Sequence, residues 1–137
     1  MKRILSDRRG IETLEAAFTL PIAILVMVAV INFGMVVFAQ QAVQAAVRHG
    51  ARMGSVSQDC GACRAVSEAR SAISSASLVQ NASVVVLAPG GSAGSILKLR
   101  VSGQVPNLFA GLGAIFPGLP SGPFNVSAEA TFRREGW

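Results

Sequence analysis

The sequence has few of the residues on which most enzymes and nucleic-acid-binding proteins depend. Among its 137 residues there are one His, one Trp, two Cys and no Tyr, and only 14% of the residues are charged. The sequence contains no basic stripe with interleaved aromatic residues and no Gly-rich phosphate loop. His49 has no second His, Cys or Asp in helical register that would make a metal or catalytic site. We therefore predict a protein with no catalytic residues, no metal, no cofactor and no nucleic-acid partner.

Apolar residues, by contrast, are concentrated near the N-terminus. No residue from Ala16 to Val47 is charged. As a helix, residues 16–39 would extend ~36 Å, enough to cross a hydrocarbon core of ~30 Å. A chain of this size could not surround so long an apolar helix as the core of a soluble protein. We predict a long helix over residues 11–54, with a single transmembrane span at about residues 16–39, followed by a head over residues 55–137.

The charge distribution predicts the orientation of that helix. Lys2, Arg3, Arg8 and Arg9 against Asp7 give the first ten residues a charge of +3, out of +5 for the whole chain. By the positive-inside rule the N-terminus is cytoplasmic and the head is extracytoplasmic. A secretory signal peptide also has a basic tail and an apolar segment, but its apolar region has only ~7–15 residues. An uncleaved signal anchor and cleavage ahead of the apolar run both remain open at this point.

The stretch "RRGIETLEAAF" (residues 8–18) begins the apolar run with two acidic residues. A basic leader, Gly10, Ile11 and then Glu15 before a transmembrane helix resembles the prepilin-peptidase site of type IV pilin-like proteins. With Pro21, the helix end "AVRHGAR" and the closing "VSAEATFRREG", the chain is similar to the TadE-like pseudopilins of tight-adherence (Flp) pilus systems. The resemblance covers residues 8–54 well and the last dozen residues moderately.

This resemblance implies a processing site and an assembly role. Prepilin peptidase would cut between Gly10 and Ile11 on the cytoplasmic side and remove residues 1–10 as a leader peptide. The Glu15 carboxylate would then meet the terminal ammonium of a neighbouring subunit, and Glu12, on the same helix face, is predicted to share this role. The alternative is that both acids simply lie at the membrane interface. The implied partners are prepilin peptidase, other pseudopilins, the inner-membrane pilus platform and, as a further candidate, the major pilin.

Small residues recur every four positions along the predicted helix. Such a face allows a second helix to approach closely. It would pack either against neighbouring subunits or, for the part after Ala42, against the protein's own head. The predicted helix-packing residues are Gly34, Ala42, Ala46 and Gly50.

Cys60 and Cys63 form a CxxC motif ahead of a second, shorter helix, for which Asp59 is the predicted N-cap. Two cysteines without further ligands do not make a four-coordinate zinc site. Outside the cytoplasm a structural disulfide is the expected state. The alternative is a thiol-disulfide oxidoreductase that uses this pair.

The remainder of the chain alternates between apolar and polar residues, as half-buried strands do. We predict strands at residues 83–88, 96–105 and 124–133, forming a small antiparallel sheet with one face packed on a helix. The fold class is therefore membrane-anchored α+β. Residues 106–123 are rich in Gly and Pro yet apolar, which is consistent with a flap over the core or with a loop that touches a partner or the membrane.

Together these observations predict a non-catalytic minor pilin, or pseudopilin, in the bacterial inner membrane that acts in assembly of an adhesion pilus. Two alternatives come from other functional classes. One is an uncleaved, signal-anchored envelope binding protein that uses residues 106–123 for recognition. The other is the oxidoreductase based on Cys60 and Cys63.

Overall fold

The protein is an α+β structure in which one very long helix carries a small head. The computed structural model describes residues 8–135, so residues 1–7 of the predicted leader lie outside the described residues. The elements are helix α1 (Arg8–Ser55), helix α2 (Gly61–Ser74), strand β1 (Gln80–Pro89), strand β2 (Ile96–Val105), a 3₁₀ turn (Leu108–Leu112) and strand β3 (Phe124–Arg133). The predicted α+β fold, with a long apolar helix, a short helix and three antiparallel strands, is confirmed.

Helix α1 has 48 residues and is therefore ~72 Å long. It begins at Arg8 and so runs without interruption through Gly10 and Ile11, with Pro21 in its interior. It ends at Ser55, whose hydroxyl donates to the Arg52 carbonyl at 2.8 Å. Among the described residues it is the one helix long and apolar enough to cross a membrane, and only 11% of its most apolar window is buried.

Helix α2 begins one residue later than Asp59 would require, so the predicted cap was wrong. The N-cap is Cys60, whose sulfur accepts the Cys63 backbone N–H at 3.2 Å. The disulfide brings this sulfur next to the first turn of the helix, where a side-chain oxygen usually lies. The buried face of α2 consists of Gly61, Ala65, Ala69 and Ile73.

The sheet has the order β1-β2-β3, with both pairs antiparallel. The β2–β3 register is continuous from Ile96 opposite Arg133 to Val105 opposite Phe124. Strand β1 is irregular and extends beyond its predicted residues 83–88. Its first residues are polar and pair with a register shift, so they lack the alternation that marks a strand in sequence.

The core lies between the inner face of the sheet, α2 and the second half of α1. The apolar core residues of α1 begin at Ala39. Within residues 12–55 of α1, the first buried residue is the polar Asn32. None of residues 12–31 is buried. The C-terminal end of the predicted span of 16–39 therefore includes residues that the head covers. The core residues are Ala39, Val43, Ala46, Val47, Ala51, Ala65, Ala69, Ile73, Leu97, Leu99, Val101, Val105, Val126 and Ala130.

Candidate functional site

The predicted processing and assembly residues lie at the beginning of α1. Gly10 and Ile11 are in its first turns, and the side chains of Glu12 and Glu15 are exposed. Since residues three apart are neighbours on a helix surface, the two carboxylates share one face. The Thr19 hydroxyl donates to the Glu15 carbonyl at 3.0 Å, one turn further along. The structure thus brings two acidic side chains together at the end of an apolar helix.

The adjoining part of α1 exposes large apolar side chains around its whole circumference. Phe18, Val30 and Phe33 are exposed by 69%, 67% and 73%. A helix that is apolar all round requires lipid or other helices about it, because exposed patches of this size are not found on soluble monomers. The other exposed large residues of this part are Leu14, Leu20, Ile22, Ile24, Val26, Met27 and Ile31.

The small-residue face divides into two parts. A Cβ atom added at Gly50 would lie 2.6 Å from the Ala65 carbonyl oxygen and 2.6 Å from the Ala69 Cβ. Ala46 is buried and Ala42 is half-buried, whereas a Cβ at Gly34 would meet nothing within 4 Å. The head's own helix α2 therefore covers the distal part of this face, and Gly34 is open to its surroundings.

Cys60 and Cys63 are joined by a disulfide at the start of α2, with their Cα atoms 5.2 Å apart. Both residues are exposed. No group of three or more His, Cys, Asp or Glu side chains that could hold a metal occurs within residues 8–135. The pair therefore links the first turn of α2 to itself and serves at the same time as the cap of that helix.

Changing both cysteines to serine should lower the stability of the head by about 2 kcal/mol, as expected for a crosslink that closes so short a loop. Because a Ser oxygen can replace the sulfur as N-cap, the Cys60→Ser/Cys63→Ser protein isolates the loss of the crosslink. Cys60→Ala/Cys63→Ser should lose a further ~1 kcal/mol with the cap. Thermal unfolding followed by circular dichroism in detergent measures both. A variant with unchanged stability that nevertheless lacks function would favour the oxidoreductase.

A polar contact that the sequence did not predict attaches the loop after β2 to α1. The Asn32 side chain is only 2% exposed, and its Oδ1 accepts the Leu108 backbone N–H at 3.0 Å. Its Nδ2 donates to Asn107 Oδ1 at 3.4 Å. The Asn107 amide in turn donates to the carbonyls of Pro120 and Gly122, at 2.6 and 3.0 Å. The sequence feature that could have indicated this contact is a single Asn inside an apolar run. A polar side chain is costly there unless it has a hydrogen-bond partner.

Arg134 closes the opposite end of the head. Its guanidinium donates to carbonyls of the α1–α2 connection and of the β1–β2 turn, and so holds both loops together. The resemblance singled out this residue only as part of a closing motif and predicted no contacts for it. The accepting carbonyls belong to Ser57, Gln58, Asp59, Gly90 and Gly91, at distances of 2.8 to 3.3 Å.

The outer face of the sheet carries a charged cluster. Lys98 Nζ lies 2.7 Å from Glu129 Oε2, and the Arg100 Nε donates to Glu129 Oε1 at 2.7 Å. The hydrogen bonds from Lys98 and then Arg100 lower the pKa of Glu129. All three side chains are solvated, so the cluster contributes little stability. His49 is similarly on the surface, with Nε2 3.6 Å from Glu68 Oε2.

One comparison with known proteins bears on this geometry. Residues 10–52 match the family model described as TadE-like protein. Over this stretch, less than a third of its length, the chain is similar to TadE-like proteins. The matched stretch starts at Gly10, includes both acidic residues and the exposed apolar half of α1, and continues to Arg52 through the part of α1 that packs into the head. Neither the curated proteins nor the solved structures contain a match.

Proposed function

We propose that the protein is a minor pilin, or pseudopilin, of a tight-adherence (Flp, type IV-like) pilus, and that prepilin peptidase processes it after Gly10. The main support is the division of α1 into two parts within the family match. Residues 12–31 have no buried side chain, while the second half of the helix packs into the head. Such a helix is anchored in a membrane through one half and presents a folded head through the other.

The proposed topology places residues 1–10 in the cytoplasm as a leader and residues 55–137 outside the cytoplasmic membrane as the head. The leader's charge of +3 favours this orientation. The Cys60–Cys63 disulfide is consistent with it, because disulfides persist in oxidising compartments. Residues 11–54 are then the mature helix, in a single pass through the membrane.

Cleavage creates a new charged group where the acidic residues lie. The ammonium of Ile11 and the carboxylate of Glu15 are then about one helical turn apart. A carboxylate near a helix N-terminus is favoured by the helix dipole, but an unpaired charge in lipid is costly. In an assembly, Glu15 pairs with the ammonium of a neighbouring subunit, and Glu12 supports it from the same face. Both charges are thereby neutralised at the membrane boundary.

The exposed half of α1 is the surface proposed for the protein partners within the membrane. It offers large apolar side chains over residues 12–31, and Gly34, just beyond them, is a point where a second helix can approach closely. We propose that other pseudopilins, the major pilin and the inner-membrane platform contact this surface. Prepilin peptidase acts earlier, at the cytoplasmic end of the helix.

Intact mass and N-terminal sequencing of the protein from membranes of cells with its native peptidase test the proposal directly. The expected chain begins at Ile11. The Gly10→Asp protein should retain its leader, since a charged side chain replaces the unencumbered residue at the cut. Gly91→Asp, the same substitution at an exposed glycine of the head where an added Cβ meets nothing within 4 Å, is the control and should be processed normally. A wild-type chain that begins at Met1 would instead favour an uncleaved, signal-anchored envelope protein.

A further inference from the structure

The loop between β2 and β3, residues 106–123 (the β2–β3 loop), carries apolar side chains that the head does not bury. No residue of this loop is buried. Leu108 and Ile115 are 44% and 67% exposed. The other four large apolar residues are half-buried, so Leu108 and Ile115 are the two that the head leaves open to an outside surface. The loop's large apolar residues are Leu108, Phe109, Leu112, Ile115, Phe116 and Leu119.

The loop is attached to α1 at one position along the helix axis, Asn32. Asn32 accepts the Leu108 N–H, and its amide donates to the Asn107 side chain. The Asn107 amide donates to the carbonyls of Pro120 and Gly122, near the end of the loop. Asn32 lies twenty residues after Glu12, which corresponds to ~30 Å along a helix and equals the thickness of a hydrocarbon core. If α1 enters the membrane at Glu12, it therefore emerges where this loop is docked.

The surface around the attachment point is free of charge. No charged residue occurs between Arg100 and Glu129. An apolar hollow of about 280 Å³ lies between the loop and the helix. On α1, Phe33 lines this hollow and is 73% exposed, and exposed Val30 lies three residues earlier on the same helix. The apolar surface of the loop therefore continues onto the exposed apolar surface of α1. The hollow is lined by Ala29, Asn32, Phe33, Val36, Phe109 and Phe124.

We infer that the β2–β3 loop rests in the outer leaflet of the membrane that α1 spans, with Ile115 and Leu108 in contact with phospholipid acyl chains. Lipid is the occupant because this surface continues the membrane-spanning surface of α1 without an intervening charge. An irregular backbone is tolerated at this depth because water reaches the interface and Asn107 satisfies two of the loop carbonyls. The loop thus acts as a second membrane contact that sets the orientation of the head.

Depth-dependent quenching of tryptophan fluorescence tests this inference in the full-length protein. The Trp137→Phe protein, which lacks the one native Trp, is reconstituted in phosphatidylcholine vesicles with or without bromine on the acyl chains. Ile115→Trp in this background is the probe. Its emission should fall about twofold or more with brominated lipid, since a ring at such a site lies ~5–10 Å inside the headgroup boundary.

Two further probes serve as references. Ile22→Trp replaces a residue that is 62% exposed and lies ten residues from both Glu12 and Asn32, at the middle of the proposed span, so it should be quenched strongly. Leu87→Trp replaces a residue that is 40% exposed on β1, next to Val86, which pairs with Leu99. Leu99 is six residues from the end of β2, ~20 Å along the strand, so this probe should lie outside the bilayer and keep its emission.

The inference depends on the proposed span of α1 but not on processing or pilus assembly. The probes distinguish failure of the span from failure of the loop contact. Quenching of Ile22→Trp without quenching of Ile115→Trp would overturn the lipid contact, leave the span intact and indicate a protein partner for the loop. Equal quenching of Ile115→Trp and Leu87→Trp would also overturn it, because the head would then contact lipid without preference. Absence of quenching at Ile22→Trp would overturn both the span and the loop contact.

Discussion

Cells that produce Glu15→Ala in place of the native protein should lack pili, although the protein is still inserted and still cleaved. The substitution removes the carboxylate proposed to pair with the terminal ammonium of a neighbouring subunit. It leaves Gly10, the apolar half of α1 and the head unchanged, because Glu15 is exposed and packs against none of them. Electron microscopy of the cells and intact mass of the membrane-bound protein measure the two outcomes separately.

Two matched variants define what this result would mean. Glu15→Gln keeps the shape of the side chain and removes only its charge, so it should also lack pili if charge pairing is the cause. Glu12→Ala, on the same helix face, should reduce the number of pili by a smaller factor. Normal pili in Glu15→Ala cells would contradict the assigned role and leave both acids as residues of the membrane interface.

Gly50→Ala should destabilise the head by about 1–3 kcal/mol, the range for overpacking a closely packed site. The added Cβ would lie 2.6 Å from a backbone oxygen of α2 and 2.6 Å from the Ala69 Cβ, so the two helices must separate. A backbone oxygen inside a helix cannot rotate away as a side chain can. Thermal unfolding of the full-length protein in detergent micelles, followed by circular dichroism, measures the loss.

The control for this prediction is Gly34→Ala on the same face of the same helix. Nothing lies within 4 Å of the Cβ position there, and alanine favours a helix over glycine by up to ~1 kcal/mol. The control protein should therefore be as stable as the native one or slightly more stable. If both variants unfolded at the same temperature, the close α1–α2 contact would not hold in solution. A loss of pili in Gly34→Ala cells, with full stability, would place a neighbouring subunit at this position.

Patterns that depend only on residues near one another in the chain predicted much of this protein. The length of the uncharged run predicted the long helix α1. The strict alternation in residues 96–105 and 124–133 predicted β2 and β3, because alternation shows which face of a strand is apolar. Gly10 and Glu15 ahead of the apolar run also led to the prediction of a processing site, which stays a prediction. Strand β1 was predicted too short, since its first residues are polar and pair irregularly.

What the tertiary structure decided is which surfaces meet. The small-residue face of α1 has a single period, yet α2 covers it at Gly50 and leaves it open at Gly34. The contacts of Arg134 with two loops and the docking of the β2–β3 loop at Asn32 join residues more than forty positions apart. Periodicity shows that a face is apolar or small but not what will cover it, because the covering element is brought there by chain connections far along the sequence.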